Sequence, residues 1–276
     1  MRNFIQNELK NAGYFDLTTN LEKLTCVQKV FAEQFTFENL DVLLDHREFI
    51  DETFLNRKIF EERRGGLCYE LNSALYLLLK ELGFDVTLSV GSIWTGEERG
   101  FVLDRSHTLV LYEEANQLYL LDSGSGTNLA IEPLTLDGGT VQSHVGKFRL
   151  VTKETEKGSY AAEMLTDNGW IVRCAFNPVE VDFFQDLNRI KEMIHTDPNS
   201  LFRKQILIAR SLSDGTATIN HQRLSRKYIN EAGLVEKEER TEFNSKTDLL
   251  EAVNQYASQS TYQAVEAYIK NKKFNS

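Results

Sequence analysis

The feature that most restricts the architecture is a segment that is apolar on nearly every side. Residues 70–83, Glu-Leu-Asn-Ser-Ala-Leu-Tyr-Leu-Leu-Leu-Lys-Glu-Leu-Gly, read as a helix apolar around nearly its whole circumference, with Gly83 as its stop. Such a helix has to be surrounded, so the rest of the chain must wrap around it. Directly before it stand Gly65 and Gly66, which permit a tight turn, and then Cys68. Cys68 is thereby placed near a helix N-terminus, where the positive dipole end favours a thiolate, the nucleophilic form. On placement alone, a small buried apolar residue is the commoner use of such a cysteine.

What surrounds this helix changes character along the chain. Residues 4–13 form an amphipathic helix that stops at Gly13. Residues 19–35 repeat apolar side chains at helical spacing, at Leu21, Leu24, Val27, Val30 and Phe31. From residue 86 the stretches become short, β-branched and aromatic, separated by turn residues. Residues 85–94, 106–124, 145–154 and 159–176 read as antiparallel strands of a barrel or curled sheet. Beyond about 182 the pattern is mixed. Residues 182–196, 247–256 and 261–273 are helical, while 201–212 and 215–229 are strand-like. The order predicts an α+β fold in three parts: a helical bundle over 1–85, a β-barrel over 86–195 and an α/β lid over 196–276.

Charge and cysteine usage narrow the function classes. With 31 basic and 41 acidic residues the net charge is −10, which argues against a nucleic-acid partner. No apolar run has the length of a membrane span, and the first residues do not read as a signal peptide, so a cytoplasmic protein is expected. The cysteines, Cys26, Cys68 and Cys174, are widely spaced and contain no CxxC pair, so neither a disulfide framework nor a metal site is expected.

A cysteine nucleophile needs a base, and the base an orienting group. Of the five histidines, His46, His107, His144, His195 and His221, His107 opens a strand that runs through 108–112 and turns at 114–117. It returns through 118–121 to Asp122. His107 and Asp122 should therefore lie near one end of neighbouring strands, where a carboxylate can hold an imidazole. A surface histidine facing an aspartate across a hairpin is the plainer reading of that pair alone. Of the rest, Cys26 and Cys174 read as core, His46 as surface, and Trp94 and Trp170 as packing. His195 and His221 lack a patterned partner, and the basic tail 270–276 reads as a solvated end.

Several segments, in order, resemble arylamine N-acetyltransferases. Residues 64–72 (Arg-Gly-Gly-Leu-Cys-Tyr-Glu-Leu-Asn) are similar to the family's nucleophile block, and 37–40 to its Phe-Glu-Asn-Leu block. Residues 106–111 resemble its histidine strand, 120–126 its aspartate strand, and 198–210 the Ser-x-Phe segment that opens its C-terminal region. The resemblance implies a helical bundle, β-barrel and α/β lid. It implies ping-pong acetyl transfer from acetyl-CoA to an arylamine, arylhydrazine or N-hydroxyarylamine, without a metal. Carried over, Cys68 is the acyl-accepting nucleophile, His107 its base and Asp122 the group that fixes the imidazole. Glu38 and Arg64 are implied as an ion pair beside the nucleophile turn, with Glu70 capping or pairing locally and Asn72 in the same helix. Ser125, Gly126 and Phe202 are implied contacts of the cofactor. Weaker candidates are Thr216 and Thr218 for the cleft, and Arg203, Lys204 and Arg210 for phosphates. Two departures stand out. Ser123 and Ser125 occupy the apolar positions of the family's Val-Gly-Phe-Gly, which implies a roomier, more polar acceptor pocket. Thr36 stands where proline is usual. Two other readings stay open: a Cys-His-Asp hydrolase, and a repurposed relative such as an amide synthase or ligand-binding protein.

Overall fold

The computed structural model describes residues 1–271. Its helical part is built around one buried rod. α1 (Arg2–Phe4) continues through a π-helical turn, Ile5–Leu9, and the segment stops at Gly13, whose φ is 77°. α2 (Asn20–Gln34) starts where a reciprocal cap forms: the Thr19 hydroxyl accepts from the Glu22 N–H, and the Glu22 carboxylate accepts from the Thr19 N–H. Leu24, Val27 and Phe31 are buried on its inner face. Leu21, which the spacing assigns to that face, lies in the first turn and is 42% exposed. α3 (Leu40–Leu43) and α4 (Glu52–Leu55), the latter extended by a π-helical turn at Asn56–Glu61, lead to α5 (Cys68–Glu81). Ten of the fourteen α5 residues are buried, as its apolar circumference requires.

Buried charges clamp the turn that precedes α5. Arg64 Nη2 donates to Glu38 Oε1 at 2.6 Å and to Asp41 Oδ1 at 2.9 Å. Lys58 Nζ donates to Asp41 Oδ2 at 2.6 Å and also to Glu70. The second oxygen of Glu70 accepts from the Leu67 N–H at 2.9 Å. The expected Glu38–Arg64 pair is thus part of a five-membered network, and Glu70 both caps and pairs. Burial opposes the charge on Lys58, but Glu70, Asp41 and Glu38 outweigh it and hold the ammonium protonated.

The central sheet has eight antiparallel strands. They are β2 (Val86–Ile93), β3 (His107–Glu114), β4 (Gln117–Leu121), β5 (Leu134–Thr135), β6 (Val141–Ser143), β7 (Gly146–Thr155), β8 (Gly158–Thr166) and β9 (Gly169–Glu180). Their spatial order is β5-β4-β3-β2-β9-β8-β7-β6. The sheet curls until Leu136 bridges Leu150 and the Asp137 N–H donates to the Leu150 carbonyl at 2.9 Å, making a near-barrel. Leu109, Leu111, Leu120, Phe148 and Phe176 fill its inside. Val110 and Tyr112 point the other way and join the helical core around α5. β3 is therefore covered on both faces, and its first six residues are all buried.

α6 (Phe183–Thr196) leads to a second sheet. It contains β1 (Phe37–Glu38), β10 (Ile208–Leu212), β11 (Gly215–Ile219), β12 (Arg223–Ile229) and β13 (Val235–Glu242), in the order β1-β10-β11-β12-β13. α7 (Lys246–Tyr256) and α8 (Gln259–Asn271) pack on it through Ile208, Ala217, Val253 and Val265. The basic tail beyond residue 271 lies outside the described residues.

The strand expected over 201–212 begins only at Ile208. Residues 201–203 are a 3-10 turn, because the Asn39 side chain takes the backbone partners of the segment. Its Nδ2 donates to the carbonyls of Phe202 and Gln205, both at 2.7 Å, and its Oδ1 accepts from the Leu207 N–H at 2.8 Å. Among the described residues no helix is long and apolar enough to cross a membrane.

Candidate active site

The β3–β4 hairpin turns through Ala115 and Asn116, with φ of 52° and 62°. Two successive positive φ angles give the tight turn that matches strand twist, and they fix the register from Glu114↔Gln117 to Val110↔Leu121. One step beyond β4, Asp122 lies diagonally across from His107. His107 Nε2 is 2.8 Å from Asp122 Oδ2.

Asp122 is held by more than the histidine. Its Oδ1 accepts from Asn72 Nδ2 and from the Gly124 N–H, each at 2.8 Å, and its Oδ2 accepts from Ser125 Oγ at 2.5 Å. Burial opposes the charge, but His107 and these hydrogen bonds outweigh it and pull the carboxyl down to about 2. The reverse balance holds for the ring. Burial disfavours imidazolium, yet Asp122 and then Cys68 push His107 up to about 10.

Cys68 is the first residue of α5. Its Sγ is 3.4 Å from the Ser106 carbonyl oxygen, and the thiol lies close enough to the His107 ring to favour the ring's cation. Asp122, and Ser125 Oγ at 3.3 Å, share Nε2, so Nδ1 is the ring nitrogen left for another partner. Thr108 Oγ1 donates to the Cys68 carbonyl at 2.7 Å, tying the helix start to β3. The segment after Asp122 passes so close that a Cβ on Gly124 would sit 2.7 Å from Cys68 Cα. Only glycine fits there.

The thiol opens into a cavity of about 340 Å³ lined by Phe37, Ile93, Val102, Leu103, Phe202 and Leu207. Ser125, Gly126 and Thr218 also line it, and the Phe202 ring packs 5.8 Å from that of Phe37. The Ser125 hydroxyl is turned onto Asp122, however, so its side chain serves the carboxylate. Thr216 is buried and is not part of the lining. Arg210 is engaged by the carbonyls of Tyr256 and Glu33, and Arg203 by those of Thr196 and Asp197.

The other thiols do not line this cavity. Cys174 is buried in β9, and burial pushes its thiol up. Cys26 is only half-buried rather than core, and burial pushes it up as well. His195 is buried in α6, its Nδ1 3.9 Å from Asp45. His46 and His221 are exposed. Trp94 packs edge-on against Phe101, and Trp170 lies under the Arg149 guanidinium at 4.3 Å.

Sequence reading names Asn72 and Ser125 but not their hydrogen bonds to Asp122. Asn72 follows Cys68 by four residues and so shares its helix face, the spacing that points it towards the site. Ser125 reads as a lost pocket wall, whereas its hydroxyl has joined the hydrogen bonds around Asp122.

A family model described as N-acetyltransferase matches residues 20–255, most of the chain. The chain belongs to the arylamine N-acetyltransferase family, and it is an acyltransferase. An uncharacterized acetyltransferase of Bacillus subtilis (strain 168), YvcN, is 36% identical over 222 residues, covering 80% of this chain and 87% of the relative. The arylamine N-acetyltransferase / N-hydroxyarylamine O-acetyltransferase of Salmonella typhimurium is 29% identical over 182 residues, covering 65% and 62%. Among solved structures, arylamine N-acetyltransferase C of Bacillus anthracis superposes with a TM-score of 0.79 at 23% identity, over 90% of this chain and 97% of that one. A Bacillus cereus arylamine N-acetyltransferase, described as having a Cys-His-Glu catalytic triad, superposes at 0.77 with 28% identity and the same coverage.

Proposed function

We propose that this enzyme transfers an acetyl group from acetyl-CoA to an arylamine, arylhydrazine or N-hydroxyarylamine through a thioester on Cys68. The observation that carries this reading is His107 between Asp122 and Cys68, beside an apolar cavity of about 340 Å³ that can take an aromatic ring.

In the first half-reaction the Cys68 thiolate attacks the acetyl carbonyl carbon. The carbonyl π electrons move to oxygen, where backbone N–H groups including that of Cys68 receive the charge; at the first position of α5 this N–H has no intrahelical acceptor. The oxyanion collapses, the C–S bond to coenzyme A breaks, and His107 protonates the departing thiolate. In the second half-reaction the amine nitrogen attacks the thioester and gives its proton to neutral His107. Cys68 leaves as thiolate, the ring keeps that proton, and the resting ion pair is restored. Asp122 orients the ring and stabilises its cation through both steps. General acid–base transfer of this kind is worth about 10²–10⁴-fold. Gly126, Phe202 and the backbone of Ser125 are assigned to the pantetheine arm and acyl group.

The test is intact-protein mass spectrometry after brief mixing with acetyl-CoA, beside Cys68→Ala. One acetyl adduct is expected in the parent, none in the variant, and loss of the adduct when an arylamine is added. No adduct on a Cys68 that iodoacetamide still alkylates would overturn acetyl-CoA as donor.

A further inference from the structure

One charge in the cavity has no counterpart. Arg173 lines the same cavity as Cys68 and His107. Its Nε is buried without a hydrogen-bond partner, and among the described residues its guanidinium makes no ion pair. Every other partly buried arginine reaches a carboxylate or a carbonyl, although Arg226 Nε and Arg63 Nη1 are also buried without a partner. Arg64 binds Glu38 and Asp41, Arg149 binds Glu163, Arg226 binds Asp214, and Arg210 binds two carbonyls. A guanidinium does not escape burial by losing its proton, so an unpaired one is costly unless an anion visits it.

The backbone aims this side chain. β8 pairs Glu163 with Val172 and Ala162 with Cys174, so Arg173 is an extra residue in β9 with no partner on β8. Such a bulge re-aims a side chain, and bulges are frequent beside active sites. No carboxylate lines the cavity among the described residues, although the whole chain carries a net charge of −10. Two acidic groups border the crevice behind Arg173, and both are engaged. Asp122 is held by four donors, and Glu163 is bound by Arg149 and Lys153 at 2.6 Å each.

We propose that Arg173 binds a carboxylate carried by a substrate of this enzyme, and so selects acid-bearing over neutral substrates. The inference rests on the acyl-transfer reading of the cavity. A guanidinium meets a carboxylate through two parallel N–H···O bonds, which a neutral isostere cannot reproduce. The carboxylate can belong to the amine or to the acyl group, and two arms separate these sources. The first compares 4-aminobenzoate with 4-aminobenzamide as acceptors of an acetyl group. The second compares succinyl-CoA with butyryl-CoA as donors to 4-methylaniline.

Each arm is run with the parent enzyme, Arg173→Leu and Arg173→Lys. In the arm that supplies the carboxylate, the parent should favour the charged member. Arg173→Leu should lower that preference about 10–100-fold in kcat/KM, with Arg173→Lys recovering part of it. The neutral member should be little changed. A parent without preference in either arm overturns the proposal, as does a preference that survives in Arg173→Leu. An equal loss for charged and neutral members would also overturn it, by assigning Arg173 to coenzyme A or to the fold.

A non-catalytic readout separates this inference from the reading beneath it. On Cys68→Ala protein, titration calorimetry with 4-aminobenzoate and succinate, each against its amide, reports the carboxylate site directly. An Arg173-dependent preference there, with no acetyl adduct on the parent, would sink the acetyl-transfer reading and leave the carboxylate site standing. The adduct without any such preference would do the opposite.

Discussion

Asn72 Nδ2, one helical turn beyond Cys68, donates to Asp122 Oδ1 at 2.8 Å and to the Thr108 carbonyl at 2.6 Å, while its Oδ1 accepts from the Ser123 N–H at 2.7 Å. One side chain on the nucleophile helix thus sets the carboxylate and joins the two strands that carry His107 and Asp122. Asn72→Ala should leave those backbone groups unpartnered, at about 1–3 kcal/mol each. Thermal melts should show the loss, and thioester formation measured below the melt should slow by more than tenfold. Undiminished thioester formation would show that Gly124 and Ser125 suffice to hold Asp122.

Asp122→Asn tests the imidazole's orientation. The amide can accept at one oxygen only, where the carboxylate accepts four bonds. Acyl transfer should fall by about 10⁴-fold through loss of the correct ring tautomer. The circular dichroism spectrum should be unchanged and Tm lower by a few degrees. Near-normal turnover would mean that another group orients His107.

Thiol reactivity should separate the three cysteines. His107 is held up to about 10, so its cation faces Cys68 throughout the neutral range, whereas burial pushes the thiols of Cys26 and Cys174 up. Iodoacetamide at pH 6 should label Cys68 far faster than the other two, read by peptide mass spectrometry. Comparable labelling of all three would remove the ion-pair description.

The same two groups give stability a defined pH window. His107 is raised from 6.5, so its contribution is full below about pH 6.5 and fades as pH rises through about 10. Asp122 is lowered from 3.8, so its contribution is full above about pH 4 and fades as pH falls through about 2. The urea midpoint of the parent minus that of His107→Gln should be flat between about pH 4 and 6.5 and shrink above it. A difference that grows with alkalinity would contradict the assignment.

Lys58→Met should be among the most damaging substitutions outside the cavity. It strips the buried Glu70 and half-buried Asp41 carboxylates of a shared cation, and breaking such a cluster typically costs about 3–5 kcal/mol. Urea unfolding should show that loss. An unchanged midpoint would mean that Arg64 alone neutralises the cluster.

The pairing of His107 with Asp122 is legible in the chain because a short hairpin fixes register, so counting residues back from the turn is enough. Cys68 is legible because the glycines before it and the apolar helix after it leave few other placements. What escapes is set by side chains distant in sequence. Residues 201–207 carry strand-forming residues, yet Asn39, 163 residues from Phe202, claims their backbone groups. The bulge at Arg173 depends on how β8 and β9 slip past each other, and no local pattern announces it. Ser125 reads as polar substitution in a pocket wall until the carboxylate it faces is in place.

The ties between Cys68 and Thr108, and between Asn72 and Asp122, join stretches of chain that meet only once the sheet has docked on α5. A newly made chain with α5 formed but residues 107–125 not yet in place has a Cys68 without its imidazole partner. Full reactivity therefore requires these long-range contacts to close, and a partly folded molecule that lacks them is disarmed. Labelling of Cys68 against time during refolding should act as a clock for that closure.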